Sequence, residues 1–398
     1  MKERKTTSGL CRFALCTRPD EPLIRFWMET DKIMVQRRAM LTSVLGAGLG
    51  ASVGLPAWAA MPQYPQLVEP AIPVLNLTQG YFIGSASAGP RVLAVGEEGV
   101  IIYSDDAGQS WHQAAVPVSA TITAIAFATP QVGWATGALG VVLNTQDGGK
   151  TWVKQLDGLA EIDLMNTATQ AFVAAQPPGS DPADRATRRA QILAGQGPDK
   201  PMLCVLPISA TEVFVFGTYR YAEHSTDGGK SWTDWSMHIG DPVSHNIYDA
   251  AAIGGALYLV AEEGLIFRST DGGQSFPQLA QPGNATFFGI CDTGAGGILA
   301  YGVAGEMYLS TDQGKSWNPP QFTGTSNVNA VAIIGGGLLV AGDAGGGLWL
   351  SKDHGASFTL LHRNPIMSIN ALQPLGAMRF LIVSDIGVFP VDLAAMNA

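Results

Sequence analysis

Charge is scarce in this sequence, and what there is leans negative. Only 14% of its 398 residues are Asp, Glu, Lys or Arg, with 23 basic residues against 33 acidic ones. Disordered chains combine high charge with low hydrophobicity, and this composition is the reverse. Nine of the basic residues and five of the acidic ones precede Ala60, which leaves 14 against 28 beyond it and a net charge near −14. Such a surface repels phosphate backbones, which excludes nucleic acid as a partner, and it suits anionic lipid poorly. Cysteine is sparse as well. Cys11, Cys16, Cys204 and Cys291 show no C-x-x-C spacing, so neither a zinc site nor a disulfide framework is indicated. Six scattered histidines (His112, His224, His238, His245, His354 and His362) include no H-x-x-x-H pair, and no metal or cofactor is expected. The apolar run from Val44 to Leu55 is too short to span a bilayer.

What the chain does have is glycine, 48 residues of it, and one turn written six times. The first copy is Ser104-x-Asp106-x-Gly108-x-Ser110-Trp111. It returns around Asp147 and Trp152, Asp227 and Trp232, Asp271 and Phe276, Asp312 and Trp317, and Asp353 and Phe358. The Asp and the hydroxyls can bond nearby backbone N–H groups, and the Gly can take a positive φ. The closing aromatic carries a large apolar payload that can wedge between units. From Asp to Asp the steps are 41, 80, 44, 41 and 41 residues. A period near 41 with short β-rich runs between Gly turns fits one four-stranded propeller blade.

The amino terminus reads as an export signal. Met34 is a second plausible start. Arg37-Arg38 follows, then the apolar run, then Ala57-Trp58-Ala59 as a small-x-small exit. Residues 1–59 are therefore expected to be a signal region cleaved after Ala59. The paired arginines resemble a twin-arginine signal, and a general secretory signal is the alternative. Gly46-Ala-Gly48-Leu-Gly50 belongs to this signal: no strand precedes it, as a dinucleotide loop would need.

With the boxes as a ruler, residues 62–393 divide into seven blades, each read as strands A, B and C, the box, and strand D. The last set, Ser368–Leu375, Phe380–Ser384 and Gly387–Val391, has no box after it. Ile72–Leu77 is expected to supply its outer strand and so tie the two ends of the chain together. The 80-residue step is assigned to an insertion at 158–202 between blades 2 and 3. Helices are expected over 161–176 and 183–194, with Pro177-Pro178-Gly179 between them. The fold class is thus all-β: a seven-bladed β-propeller of four-stranded blades with one helical insertion.

Six boxes on this ruler, the signal and the recurring Gly96-Glu-Glu-Gly99, Gly137-Ala-Leu-Gly140 and Gly302-Val-Ala-Gly305 turns resemble the photosystem II stability/assembly factor family and its non-photosynthetic bacterial relatives. The resemblance covers about residues 62–393. It implies a non-catalytic propeller of the periplasm or lumen that helps to assemble membrane complexes, in bacterial relatives often beside efflux or export systems; here a periplasmic monomer is expected. The arginine patch of the photosynthetic members has no counterpart here.

Catalysis would need other residues. A sialidase-like site wants three arginines on a carboxylate, and Arg91, Arg220, Arg268, Arg363 and Arg379 lack the Arg-Ile-Pro context. Other glycosidases want two facing carboxylates, for which Glu97-Glu98 and Glu262-Glu263 are candidates by type only. A glycan-binding or glycan-cleaving propeller is the competing reading. In blade 3 the turn departs from its Gly pattern as Tyr219-Arg220-Tyr221, and aromatics with Arg are enriched at binding hot spots. Spacing puts Arg185, Arg188 and Arg189 on one side of the second inserted helix. These six residues are the expected partner-binding surface, on the propeller face opposite the boxes.

Overall fold

The computed structural model describes residues 63–396 apart from 336 and 377. The expected export signal lies outside the described residues. Blade 1 is β1 (Phe82–Ala88), β2 (Arg91–Gly96), β3 (Ile101–Ser104) and β4 (His112–Gln113). Blade 2 is β5 (Ile122–Phe127), β6 (Gly133–Gly137), β7 (Val142–Thr145) and β8 (Val153–Leu156). Helices α1 (Gly158–Ala174) and α2 (Asp181–Gln196) follow. Blade 3 is β9 (Met202–Pro207), β10 (Val213–Gly217), β11 (Ala222–Ser225) and β12 (Thr233–Asp234). Blade 4 is β13 (Ile247–Ile253), β14 (Ala256–Ala261) and β15 (Ile266–Ser269). Blade 5 is β16 (Phe287–Asp292), β17 (Ile298–Gly302) and β18 (Met307–Ser310). Blade 6 is β19 (Val328–Gly335), β20 (Leu338–Asp343), β21 (Gly347–Ser351) and β22 (Thr359–Arg363). Blade 7 is β23 (Ile369–Gly376), β24 (Arg379–Ser384) and β25 (Val388–Asp392), before a last turn of helix, α3 (Leu393–Met396). Every sheet is an antiparallel meander in chain order.

Not every blade has four strands. In blades 4 and 5 the fourth strand shrinks to a single bridge, Phe267 to Gln278 and Leu309 to Asn318. Proline is the reason. Pro277 in one blade and Pro319-Pro320 in the other remove ladder donors where the edge strand would run. The closing strand expected at Ile72–Leu77 is not formed either. Pro70 and Pro73 interrupt it, and its polar groups turn to blade 1 instead. Ala71 N–H donates to Val116 O, and Val74 N–H to the Gln113 side chain at 2.9 Å. Blade 7 keeps three strands. Two backbone bonds, Val388 N–H to Thr78 O and Gly80 N–H to Ile386 O, are what the amino-terminal segment gives it. The seam is carried further in: β23 packs on β1, Asn370 Nδ2 donates to Phe82 O at 2.8 Å, and Gln373 Nε2 to Ser87 Oγ at 2.7 Å.

The core is seven clusters, each shared by two adjacent blades. The box aromatics sit in six of them, always against the preceding blade. Phe276, fully buried, packs on Phe214 and Phe216 of blade 3. Trp152 packs on blade 1, Trp232 on blade 2, Trp317 on blade 4, Phe358 on blade 5, and Trp111 of blade 1 on Val383 and Val388 of blade 7. The seventh cluster, between blades 6 and 7, has no box ring and is filled by residues such as Leu348, Ile369 and Phe380.

The boxes themselves are alike. In the third, Ser225 Oγ donates to Asp227 Oδ1 at 2.9 Å, Gly229 N–H to Ser225 Oγ at 2.8 Å, and Ser231 N–H and Oγ–H to the two Asp227 oxygens at 2.9 and 2.6 Å. The Ser231 hydroxyl and amide hold the Asp227 carboxyl down at about 2. Serine partners do the same for Asp271 and Asp312. Asp106 lies lower still through Ser110. Burial works against Asp147 and Asp353, and their hydroxyl and amide donors outweigh it. The box glycine has a positive φ in every copy, and in all but the last a Cβ there would collide with a side chain of the preceding blade, such as Leu93 or Phe214.

Candidate functional site

Boxes lie between the third and fourth strands, so they crowd one face of the ring. The turns between second and third strands, and the links between blades, occupy the other. Five of those turns share one geometry. Glu98, Leu139, Tyr219, Glu263 and Ala304 have φ between 54° and 59°, and the next residue is also left-handed. That next residue is Gly99, Gly140, Gly264 or Gly305, and in blade 3 it is Arg220 at φ 59°. A Cβ at Gly99, Gly264 or Gly305 would strike a carbonyl oxygen of the following link. Blade 3 escapes because its link, 235–246, takes another course. Arg220 N–H donates to His245 O at 2.9 Å, and Arg220 Nη1 reaches Asp241 O. Asp241 is buried and accepts from Val243 N–H, His245 N–H and His245 Nδ1. Burial pushes its carboxyl up, and these donors override that and leave it lowered.

This corrects two members of the expected partner surface. Arg220 is 8% exposed and Tyr221 1%. A one-residue register places the Tyr221 ring in the core between blades 2 and 3, beside Trp134 and Val215. Both are internal supports. Tyr219 is 44% exposed, fixed by its N–H to Asn246 Oδ1 at 2.8 Å, and Asn246 in turn bonds both Glu262 oxygens at 2.9 Å.

The insertion lies against blades 2 and 3. Asp157 caps α1 by accepting from Leu159 and Ala160 N–H. Pro182 opens α2, and Gly197 closes it at φ 81°. The α2 arginines divide. Arg185 and Arg188 are exposed and share a stripe with Ile192, 59% exposed, at i, i+3 and i+7. Arg189 points the other way: its Nη2 donates to Tyr219 O at 3.0 Å and its guanidinium lies 5.6 Å from the Tyr221 ring centroid.

Beneath Arg189 is a group that sequence reading missed. Glu161 of α1, Glu223 of β11, Asp234 of β12 and the Tyr221 hydroxyl are all buried. Glu161 Oε1, both Glu223 oxygens, Asp234 Oδ2 and Tyr221 OH have no hydrogen-bond partner among the described residues. Buried polar groups are normally satisfied, so this concentration is exceptional. Burial, then the Asp234 charge, push Glu161 and Glu223 well above the ordinary glutamate range, while Arg189 pulls down. The pattern Glu223 facing Asp234 across two strands was the available signal, hidden by their short, unremarkable runs.

The remaining candidates are dispersed. Arg91 pairs with Asp105 at 2.7 Å, Arg268 bonds Gln313, and Arg363 lies 3.3 Å from Asp343. Glu97-Glu98 and Glu262-Glu263 occupy turns of blades 1 and 4. Among the described residues no group of three His, Cys, Asp or Glu is placed to hold a metal ion, and no helix is long and apolar enough to cross a membrane.

A cavity of about 350 Å³ runs along the axis, lined by the innermost strands of all seven blades. With that geometry the comparisons agree. The profile of the Photosynthesis system II assembly factor YCF48 family matches residues 103–176, and that of the BNR/Asp-box repeat residues 308–319. The chain is similar to that family over residues 103–176, and its fold is that of an Asp-box propeller. YCF48 bound to a D1 peptide superposes with a TM-score of 0.57 at 12% identity, covering 81% of this chain and 98% of that one. YCF48 from Cyanidioschyzon merolae gives 0.57 at 14%, covering 80% and 96%. The GH74 enzyme of Niastella koreensis also gives 0.57 at 14%, covering 81% of this chain and 54% of the enzyme. These likenesses are of fold. No curated protein sequence matches the chain.

Proposed function

We propose that this propeller is a non-catalytic, exported scaffold that docks a polypeptide partner while a membrane complex of the cell envelope is assembled, such as an export or efflux system. One observation carries the reading. The departures from the repeat gather on the link side of blade 3, where an inserted helix pair presents Arg185, Arg188 and Ile192 next to the exposed Tyr219 ring. Two exposed guanidinium groups, an aliphatic side chain and an aromatic ring suit an acidic segment with an apolar anchor. Protein docking is also what the YCF48–D1 peptide complex exemplifies in a protein of similar fold.

Cross-linked pull-down from a periplasmic and envelope fraction tests it. The unaltered chain is expected to capture a defined partner, and the combined Arg185→Glu, Arg188→Glu and Tyr219→Ala variant to lose it with its fold intact. Undiminished capture by that variant overturns the docking surface. The GH74 likeness keeps a glycan-cleaving reading in play. Turnover of any member of a fluorogenic glycoside panel would replace the scaffold reading.

A further inference from the structure

The repeat supplies its own internal comparison along the axis. Every innermost strand has a β-bulge at its second residue: Ile83, Thr123, Leu203, Tyr248, Phe288, Asn329 or Asn370. The third residue then lines the channel or packs beside it. It is Gly84, Ala124, Cys204, Gly289, Ala330 or Ala371 in six blades, and Asp249 in the fourth. A carboxylate stands where the other blades keep the smallest side chains.

Asp249 is the charged residue of the channel lining; no Lys, Arg or His joins it there. Ala250 N–H donates to its Oδ1 at 2.9 Å and Ile290 N–H, from blade 5, to its Oδ2 at 3.0 Å. Each oxygen therefore retains acceptor capacity after one backbone bond. The polar neighbours turn their donors elsewhere. Asn329 and Asn370 spend their Nδ2 groups on Ile369 O and Phe82 O, and Thr123 spends its hydroxyl on Met202 O at 2.5 Å. Tyr248 and Phe288 line the same space with their rings edge to face at 5.5 Å.

We propose that the axial channel at Asp249 is a binding site for an ammonium group, carried by a free amine or by a lysine side chain. A compact monocation with three donors matches a carboxylate whose two oxygens each keep acceptor capacity, in a channel whose lining holds no other charged side chain. The Tyr248 and Phe288 rings suit both the cation and its methylene stem. The titratable groups around the carboxyl are Cys204, Cys291, Tyr301 and Tyr248; burial raises the first three, so none of those competes for its charge. Burial raises the Asp249 carboxyl to about 6, and ligand affinity must therefore fall in mild acid. The assignment is independent of the docking reading and stands or falls on the channel alone.

The test is an NMR-detected titration of the whole chain with n-butylamine, with the peptide acetyl-Gly-Lys-Gly-amide, and with n-butanol as the neutral isostere. At about pH 7.5, where the carboxylate is ionised, saturable shifts in the innermost strands are expected with an amine and not with butanol. Butylamine alone identifies a free amine as the ligand class; the peptide, with or without butylamine, identifies an accessible lysine side chain. Below about pH 6 affinity should fall roughly tenfold per pH unit. Asp249→Ala, which places in blade 4 the residue blades 2, 6 and 7 already carry, should cost at least about tenfold, and Phe288→Ala less. Binding of neither amine, equal binding of butanol, or undiminished affinity in Asp249→Ala overturns the proposal. Should that variant misfold, a flat pH profile of the unaltered chain overturns it equally.

Discussion

The two faces of the ring solve opposite problems. On the box face, six turns repeat one set of bonds, and each carboxylate accepts from two hydroxyls and a backbone amide at its own site. On the link face of blade 3, three buried acids and a tyrosine meet under an insertion with oxygens left unpartnered. The first arrangement holds the ring together. The second gives up stability to a feature only one blade has, which is where a repeat protein acquires individuality.

The comparison can be broken most severely through the box rings. Phe276→Ala empties a fully buried site between blades 3 and 4 and should cost about 3–5 kcal/mol, read as a lower urea midpoint. If the cost were small, the rings would be decoration. Next comes Arg189→Ala. Removing the cation above Glu161, Glu223 and Asp234 leaves Glu161 with only the weaker pull of Lys200 and Glu223 with none, a loss of about 3 kcal/mol at most for a half-buried guanidinium. It should appear as faster amide exchange in α1 and α2 with the blades unchanged.

The faces should also respond to pH in opposite senses. A box carboxyl held at about 2 in the fold against 3.8 when free stabilises above 3.8 and loses that contribution as pH falls through about 2. Glu161 and Glu223 are raised above 4.5 in the fold, so they cost nothing below 4.5 and progressively more as pH rises toward their folded values. Exchange in α1 and α2 should therefore quicken with rising pH, and Glu223→Gln should flatten that dependence. The smallest effect is expected for Arg220→Gly. It relieves a left-handed arginine, about 1 kcal/mol, and loses the bond to Asp241 O, about 1 kcal/mol. Calorimetry should find the melting temperature nearly unchanged.

Most of the ring was legible because its signals are local. The box residues specify their own turn, and the strand bounds follow from Gly and alternating apolar runs. Strands expected at Gly133–Gly137 and Phe287–Cys291 run Gly133–Gly137 and Phe287–Asp292, and helices expected over 161–176 and 183–194 run 158–174 and 181–196. What escaped depends on distant partners. Ile72–Leu77 has strand-like residues, and Gln113 and Val116 take its hydrogen bonds. Tyr221 looks like an exposed turn aromatic until the insertion covers it. Arg189 shares a helix with Arg185 and Arg188, yet one extra residue of rotation sends it inward. Asp249 was readable by stacking the seven innermost strands on one another, and reading each blade alone hid it.

The rings of the boxes all lean toward the blade made before their own, with one exception forced by the circle. Trp111 belongs to blade 1 and leans on Val383 and Val388, near the end of the chain. A ribosome therefore releases the first blade with its aromatic half housed and supplies the rest of the pocket last. Until some 280 further residues have been added, that indole has its own box and blade 1 to rest on and lacks the blade 7 half of its seat.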